Sequence, residues 1–167
     1  PKHVTDFPNV SGEPPASPAL PAEINLAIPF ASQAPFNDWS LPFKEACEEA
    51  AVIMAHRFLN GETVTQEIMK DEILKLVSWE KKTFGYYEDT NAEEMAQTLR
   101  EYFGRTAEIK YDFTVEDVKQ ALVEGYPVIV PAAGRMLGNP NFKHPGPLYH
   151  ALVIKGYTKM HFITNDP

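Results

Sequence analysis

Residues 45–58, EACEEAAVIMAHRF, constrain the chain more than any other stretch. Counting from Cys47, Ala50, Ala51, Met54 and Phe58 fall at i+3, i+4, i+7 and i+11, the spacing of one helical face turned to a core. Everything else has to build this helix's pocket or bring partners to its sulfur. Cys47, the only cysteine, lies in the first turn, where backbone N–H groups without intrahelical partners and the positive end of the helix dipole favour thiolate over thiol. A helix terminus contributes about 0.3 to 1 kcal/mol, and about 2 in a good buried geometry, so it lowers a thiol pKa by about one unit. A catalytic Cys47 therefore needs a cationic partner, and a histidine is the usual one. A single cysteine in a helix of this kind is most often a small packed hydrophobe, so its partners decide the reading.

At 167 residues and 44% hydrophobic, the chain can bury one substantial core and is short for two. The net charge of −8, with no stripe of Lys or Arg, argues against a nucleic-acid partner. The longest apolar runs, residues 50–55 and 128–133, fall far short of the roughly 20 residues that cross a bilayer. One cysteine excludes an internal disulfide framework and a multi-cysteine metal site, the absence of His-x-His or His-x3-His spacing argues against a His-based metal site, and no cofactor is expected. Nine of the 15 prolines lie within the first 42 residues. Residues 1–22 accordingly read as an extended Pro-rich linker or arm, or a short pro-segment, and residues 23–167 as the folded domain.

Along that domain, residues 24–28 alternate as a short strand, and residues 29–39 form an ordered loop rich in aromatics. The cysteine helix stops near Asn60-Gly61. Residues 65–82 read as a second helix with Ile68 or Met69, Ile73, Leu76 and Val77 inside. Asn91 with Glu94 forms a capping box that opens a third helix, which Gly104 ends. Residues 106–111 read as a strand, Thr114 with Asp117 caps a helix over 115–124, and residues 127–131 form a short apolar strand. A Gly- and Pro-containing loop over 132–148 is of the kind that borders a site. Residues 149–157 and 161–164 complete a hairpin. Helices come mainly first and strands mainly last, which predicts an α+β fold with the N-terminal helices packed on one side of a C-terminal antiparallel sheet.

In the strand Tyr149-His150-Ala151-Leu152-Val153-Ile154, alternation puts His150, Leu152 and Ile154 on one face, with His150 at the end next to the loop. That position suits a base beside a buried thiol. His56 in mid-helix, His144 in the loop and His161 by the turn read as structural or solvated. The runs Ile28-Pro29-Phe30-Ala31-Ser32-Gln33, Ala46-Cys47-Glu48-Glu49-Ala50-Ala51, Val115-Glu116-Asp117-Val118-Lys119-Gln120-Ala121-Leu122, Gly125-Tyr126-Pro127-Val128-Ile129-Val130, Tyr149-His150-Ala151-Leu152-Val153-Ile154-Lys155-Gly156-Tyr157 and Ile163-Thr164-Asn165-Asp166-Pro167 follow one another in that order. Taken together they resemble the C39-like peptidases, papain-fold cysteine peptidases related to the bacteriocin-processing enzymes. The resemblance covers residues 24–167. It implies a papain-like fold with Cys47 as nucleophile, His150 as general base and acid, Asp166 as the group that orients His150, and Gln33 with the Cys47 backbone N–H as oxyanion donors. One departure bears on the chemistry: Glu48 and Glu49 stand where many relatives have Gly or another small residue, and two carboxylates there oppose thiolate formation unless they point to solvent.

The function this implies is a cysteine-dependent amide hydrolase acting on a peptide or protein through a thioester at Cys47. The alternatives are acyl transfer or side-chain amide hydrolysis by the same triad, and a non-catalytic peptide-binding module on a degenerate peptidase fold. Tyr149 and Trp39 are the expected substrate-binding residues, and the acidic surface favours a basic or neutral peptide. The expected protein is a monomer, exported or at the bacterial cell surface. Hairpin parity separates Asp166 from its neighbour Asn165. If Tyr157 pairs with His161 across a three-residue turn, paired numbers sum to 318, His150 lies diagonal to Asp166, and Asn165 points to the other side.

Overall fold

The computed structural model describes residues 20–167, so most of the Pro-rich arm over 1–22 lies outside the described residues. At the centre is helix α1, Cys47–Leu59, in which every residue from Cys47 to Ala55 is buried. The one-sided apolar pattern of the sequence understates this, because the helix is covered all round. Helix α2, Gln66–Thr83, starts where the Thr65 side chain accepts the Ile68 N–H, and buries Met69, Ile73, Leu76 and Val77. Met69 takes the inner position rather than Ile68. Glu80, on the same helix, is buried as well, which its charge alone would not suggest. Helix α3, Ala92–Glu101, is opened by the complete Asn91–Glu94 capping box, and helix α4, Val115–Val123, by the complete Thr114–Asp117 box.

Four antiparallel strands form one sheet: β1 (Ile24–Asn25), which precedes the helices, β2 (Val128–Ala133), β3 (Tyr149–Tyr157) and β4 (Phe162–Asn165), with β1, β2 and β4 each pairing with β3. β1 is shorter than residues 24–28 because the ladder stops soon after the Leu26 N–H reaches the Lys155 carbonyl. It can lie there only because position 156 is glycine: a Cβ on Gly156 would sit 2.2 Å from the Ile24 carbonyl oxygen. Two apolar clusters cover the sheet. Ala151 and Val153 pack with α1, α2 and α3, whereas Leu152, Ile154 and Tyr157 pack with Val118 and Leu122 of α4. The α+β class with an antiparallel sheet stands, but α4 lies across the other face, so the helices are not all on one side.

Residues 106–111 are not a strand. Residues 106–110 alternate between exposed and half-buried, which is what the sequence pattern reports, yet they have no strand partner. The hairpin also differs in its turn. Tyr157 pairs with Phe162 and Gly156 with Ile163, sums of 319, leaving four residues in the turn. A bulge between Ile154 and Gly156 then shifts the register, so that Ile154 faces Thr164 and Val153 faces Asn165, sums of 318. The register next to the site is therefore the one expected from a three-residue turn, reached by a longer turn and a compensating bulge.

Candidate active site

Two short 3₁₀ turns, Pro35–Asn37 and Phe43–Glu45, lead into α1. The second is held by Gln33, which is buried and donates its amide Nε2 to the carbonyls of Phe43 at 2.9 Å and Lys44 at 3.0 Å. An amide nitrogen carries two hydrogens, so both donors of Gln33 are engaged. Ala46 occupies the N-cap without a side-chain cap, and Cys47 is the first residue of the helix.

The Cys47 thiol is 7% exposed and donates to Oε2 of Glu48 at 3.0 Å. Burial pushes the thiol up, the Glu48 charge adds to this, and a backbone hydrogen bond from Ala151 opposes it. The gain of about one unit expected from the helix terminus is thus outweighed. Glu48 and Glu49 are each 1% exposed, so neither points to solvent. Burial pushes the Glu48 carboxyl up to about 7, against the pull of the Cys47 thiol and of the backbone at Thr90. The Glu49 carboxyl is also held well above the ordinary range, first by burial and then by the facing Glu80 of α2, itself 2% exposed. Burial of both carboxyls side by side favours their neutral forms, because charges there would lose hydration and repel one another.

His150 is 4% exposed at the start of β3. Its Nε2 lies 2.6 Å from Oδ1 of Asp166, just beyond β4, and the second oxygen of Asp166 accepts Nδ2 of Asn139 at 2.7 Å. The Phe142 ring stands edge-on to the imidazole at 5.2 Å. Gly134 lies behind it, where a Cβ would come within 3.2 Å of the His150 Cβ and 2.7 Å of Pro147. Asn165 points the other way, donating to the carbonyls of Ile28 and Pro29 at 3.2 Å each. Next to His150 and Asp166, a pocket of about 230 Å³ is lined by Arg135, Gly138, Asn139, Phe142 and His144.

The structure brings His150 to Asp166, and Cys47 to Glu48. No hydrogen bond joins Cys47 to His150 among the described residues. Cys47 packs with Ala151 and Val153 of β3, and the side chain that its thiol reaches is Glu48. Tyr149, on the Cys47 side, donates its hydroxyl to the Thr90 carbonyl, and burial together with the Glu48 charge raises its pKa. Trp39 is 55% exposed, in a run where Phe36 and Leu41 are exposed too. His56 stacks on Phe103 at 4.2 Å, away from this chemistry. Sequence reasoning missed Asn139 and Glu80, since one is an ordinary loop residue and the other an ordinary helix charge until packing buries it. No three or more His, Cys, Asp or Glu among the described residues are arranged to hold a metal ion, and no described helix is long and apolar enough to cross a membrane.

The domain thus sets a thiol at a helix start and a histidine–carboxylate pair on the neighbouring sheet. The chain belongs to the Peptidase_C39 like family, whose model matches residues 25–167. Comparison with curated proteins finds no match, and comparison with solved structures finds none either.

Proposed function

We propose that this protein is a papain-fold cysteine peptidase that hydrolyses an amide bond through a thioester at Cys47. The observation that carries the reading is the His150–Asp166 pair at 2.6 Å, with His150 buried at the start of the strand that packs against the cysteine helix and Asp166 half-buried, within a domain of a peptidase family. With Nε2 held by Asp166, the other ring nitrogen is left to take the thiol proton. The thiolate attacks the carbonyl carbon, His150 returns the proton to the leaving amine, and water, deprotonated by His150, then releases the acid and restores the thiol. The Cys47 backbone N–H and Gln33 are the oxyanion donors in this scheme, which requires Gln33 to give up one of its two carbonyls as the oxyanion forms. In an unliganded site catalytic hydrogen bonds are often long or missing, so a thiol that points elsewhere at rest is compatible with the scheme.

Cys47→Ala should abolish turnover of a peptide library and labelling by iodoacetamide while the circular dichroism spectrum stays unchanged. Retained turnover in that variant would end the proposal. A second reading, a peptide-binding module on a degenerate peptidase fold, is favoured by the thiol's bond to Glu48 and by the engaged donors of Gln33. It expects library peptides to bind without being cut and Cys47 to resist alkylation at every pH.

A further inference from the structure

The residue that touches the sulfur is Glu48, not His150. Its Oε2 accepts the thiol at 3.0 Å, its Oε1 is buried without a hydrogen-bond partner, and the whole side chain is 1% exposed. The thiol has one proton, and while Glu48 is ionised that proton is drawn to the carboxylate and away from the imidazole. We propose that Glu48 is a catalytic residue of the Cys47 site that acts as a latch: ionised, it holds the thiol in an unreactive form; protonated, it frees the sulfur for His150 and donates to the thiolate. This rests on the cysteine peptidase reading and adds a residue to it.

The protons balance. The resting site holds Glu48 as carboxylate, Cys47 as thiol and His150 neutral. One proton from solvent goes to Glu48, the thiol proton passes to the free ring nitrogen of His150, and the site then holds a neutral carboxyl, a thiolate and an imidazolium beside Asp166. No bond to carbon changes and nothing is oxidised. The surroundings favour taking up that proton. Facing Glu48 are Glu49 on α1, Glu80 on α2, Asp89 in the segment before α3 and Tyr149 on β3, with Glu94 of α3 acting on both Glu80 and Tyr149; each is acidic. Burial, the largest influence, drives the carboxyl the same way, whereas the backbone at Thr90 favours the charged form. That backbone also links the latch to the base, because the Thr90 carbonyl accepts the hydroxyl of Tyr149, the neighbour of His150.

The test is the rate at which iodoacetamide alkylates Cys47 between pH 5.5 and 8.5 in the whole protein, with Cys47→Ser as blank. In the wild type the rate should fall as pH rises from 6 to 8, by about tenfold, since each unit above a controlling pKa removes about tenfold of the active form. In Glu48→Gln, whose neutral amide can donate to the sulfur at any pH, the rate should change less than about threefold over the same range, on the same arithmetic. His150 is present in both proteins, so a fall that persists in Glu48→Gln belongs to His150 and overturns the latch. A wild-type rate that climbs through this range, as for an ordinary thiol, overturns it too, and Glu48→Ala, which also removes the carboxylate and should flatten the profile in the same way, replaces Glu48→Gln if that variant fails to fold. Alkylation in neither protein at any pH overturns the peptidase reading itself, whereas alkylation with the same profile in both overturns only the role of Glu48.

Discussion

At the scale of single residues, adjacent side chains divide structure from chemistry. Asn165 ties the segment at Ile28 and Pro29 to β4, while Asp166 faces His150 and Asn139. Asp166→Ala should cut turnover by about a hundredfold or more while leaving the thermal midpoint nearly unchanged. Asn165→Ala should instead leave two carbonyls without their donor, at roughly 1 to 3 kcal/mol, and lower the midpoint by several degrees with little loss of activity in the folded fraction. Steady-state kinetics beside thermal melts separates the two, and the reverse ranking would remove Asp166 from the mechanism. Gln33 holds two carbonyls in the structure and is proposed to serve the oxyanion as well. As an oxyanion donor it should cost about 2.7 to 4 kcal/mol of transition-state stabilisation when removed, roughly a hundredfold or more in turnover. As the clamp on the Phe43 and Lys44 carbonyls it should cost stability. The expected result for Gln33→Ala is both a lower midpoint and the full loss in turnover measured well below that midpoint, with Cys47 still alkylated; unimpaired turnover would leave Gln33 only its clamping role. Hairpin parity separates Asp166 from Asn165 in the sequence already, whereas nothing in a lone Gln announces the clamp on the Phe43 and Lys44 carbonyls. That clamp follows from which carbonyls lie within reach.

Among the elements, the contact between α1 and α2 is where charge and packing conflict. The cysteine helix buries Glu48 and Glu49, and α2 brings Glu80 against them. The Glu48 carboxyl is raised from its ordinary 4.5 to about 7. Between those values the folded state keeps a proton that the unfolded chain has released. Its contribution to stability is therefore complete below about 4.5, is lost progressively up to about 7, and is absent above that. The shift corresponds to roughly 3 kcal/mol, or about 6 to 12 °C in the midpoint of a domain this size. Glu49 and Glu80 push in the same direction. Melting followed from pH 5 to pH 8 should show the midpoint falling, and Glu48→Gln should flatten part of that slope; a midpoint that rises with pH would contradict the buried cluster. The boundaries of the elements were largely readable, because caps are local. Asn91 with Glu94 and Thr114 with Asp117 announce their helices within four residues, and both boxes form. Residues 106–111 show the limit of that reasoning, since alternation describes a half-buried extended segment whether or not a neighbouring strand exists to pair with it.

For the whole molecule, the sequence by itself determined the α+β class, the order of the elements apart from the strand expected over 106–111, the central place of the cysteine helix, the full extent of β3 and membership of the peptidase family. Each of these rests on short-range periodicity, on caps, or on a series of motifs that survives without knowledge of contacts. Tertiary structure alone decided that α4 covers the opposite face of the sheet, that a bulge restores the register beside the site, that Gln33 spends both its donors, and that Glu48 rather than His150 holds the Cys47 thiol. Glu48 illustrates the reason. A glutamate next to a helix-start cysteine can be a solvated charge or a buried proton carrier with the same sequence around it. Which one it becomes depends on burial by α2, by the segment at Thr90 and by Tyr149 on β3, elements drawn from distant parts of the chain whose packing no local pattern encodes.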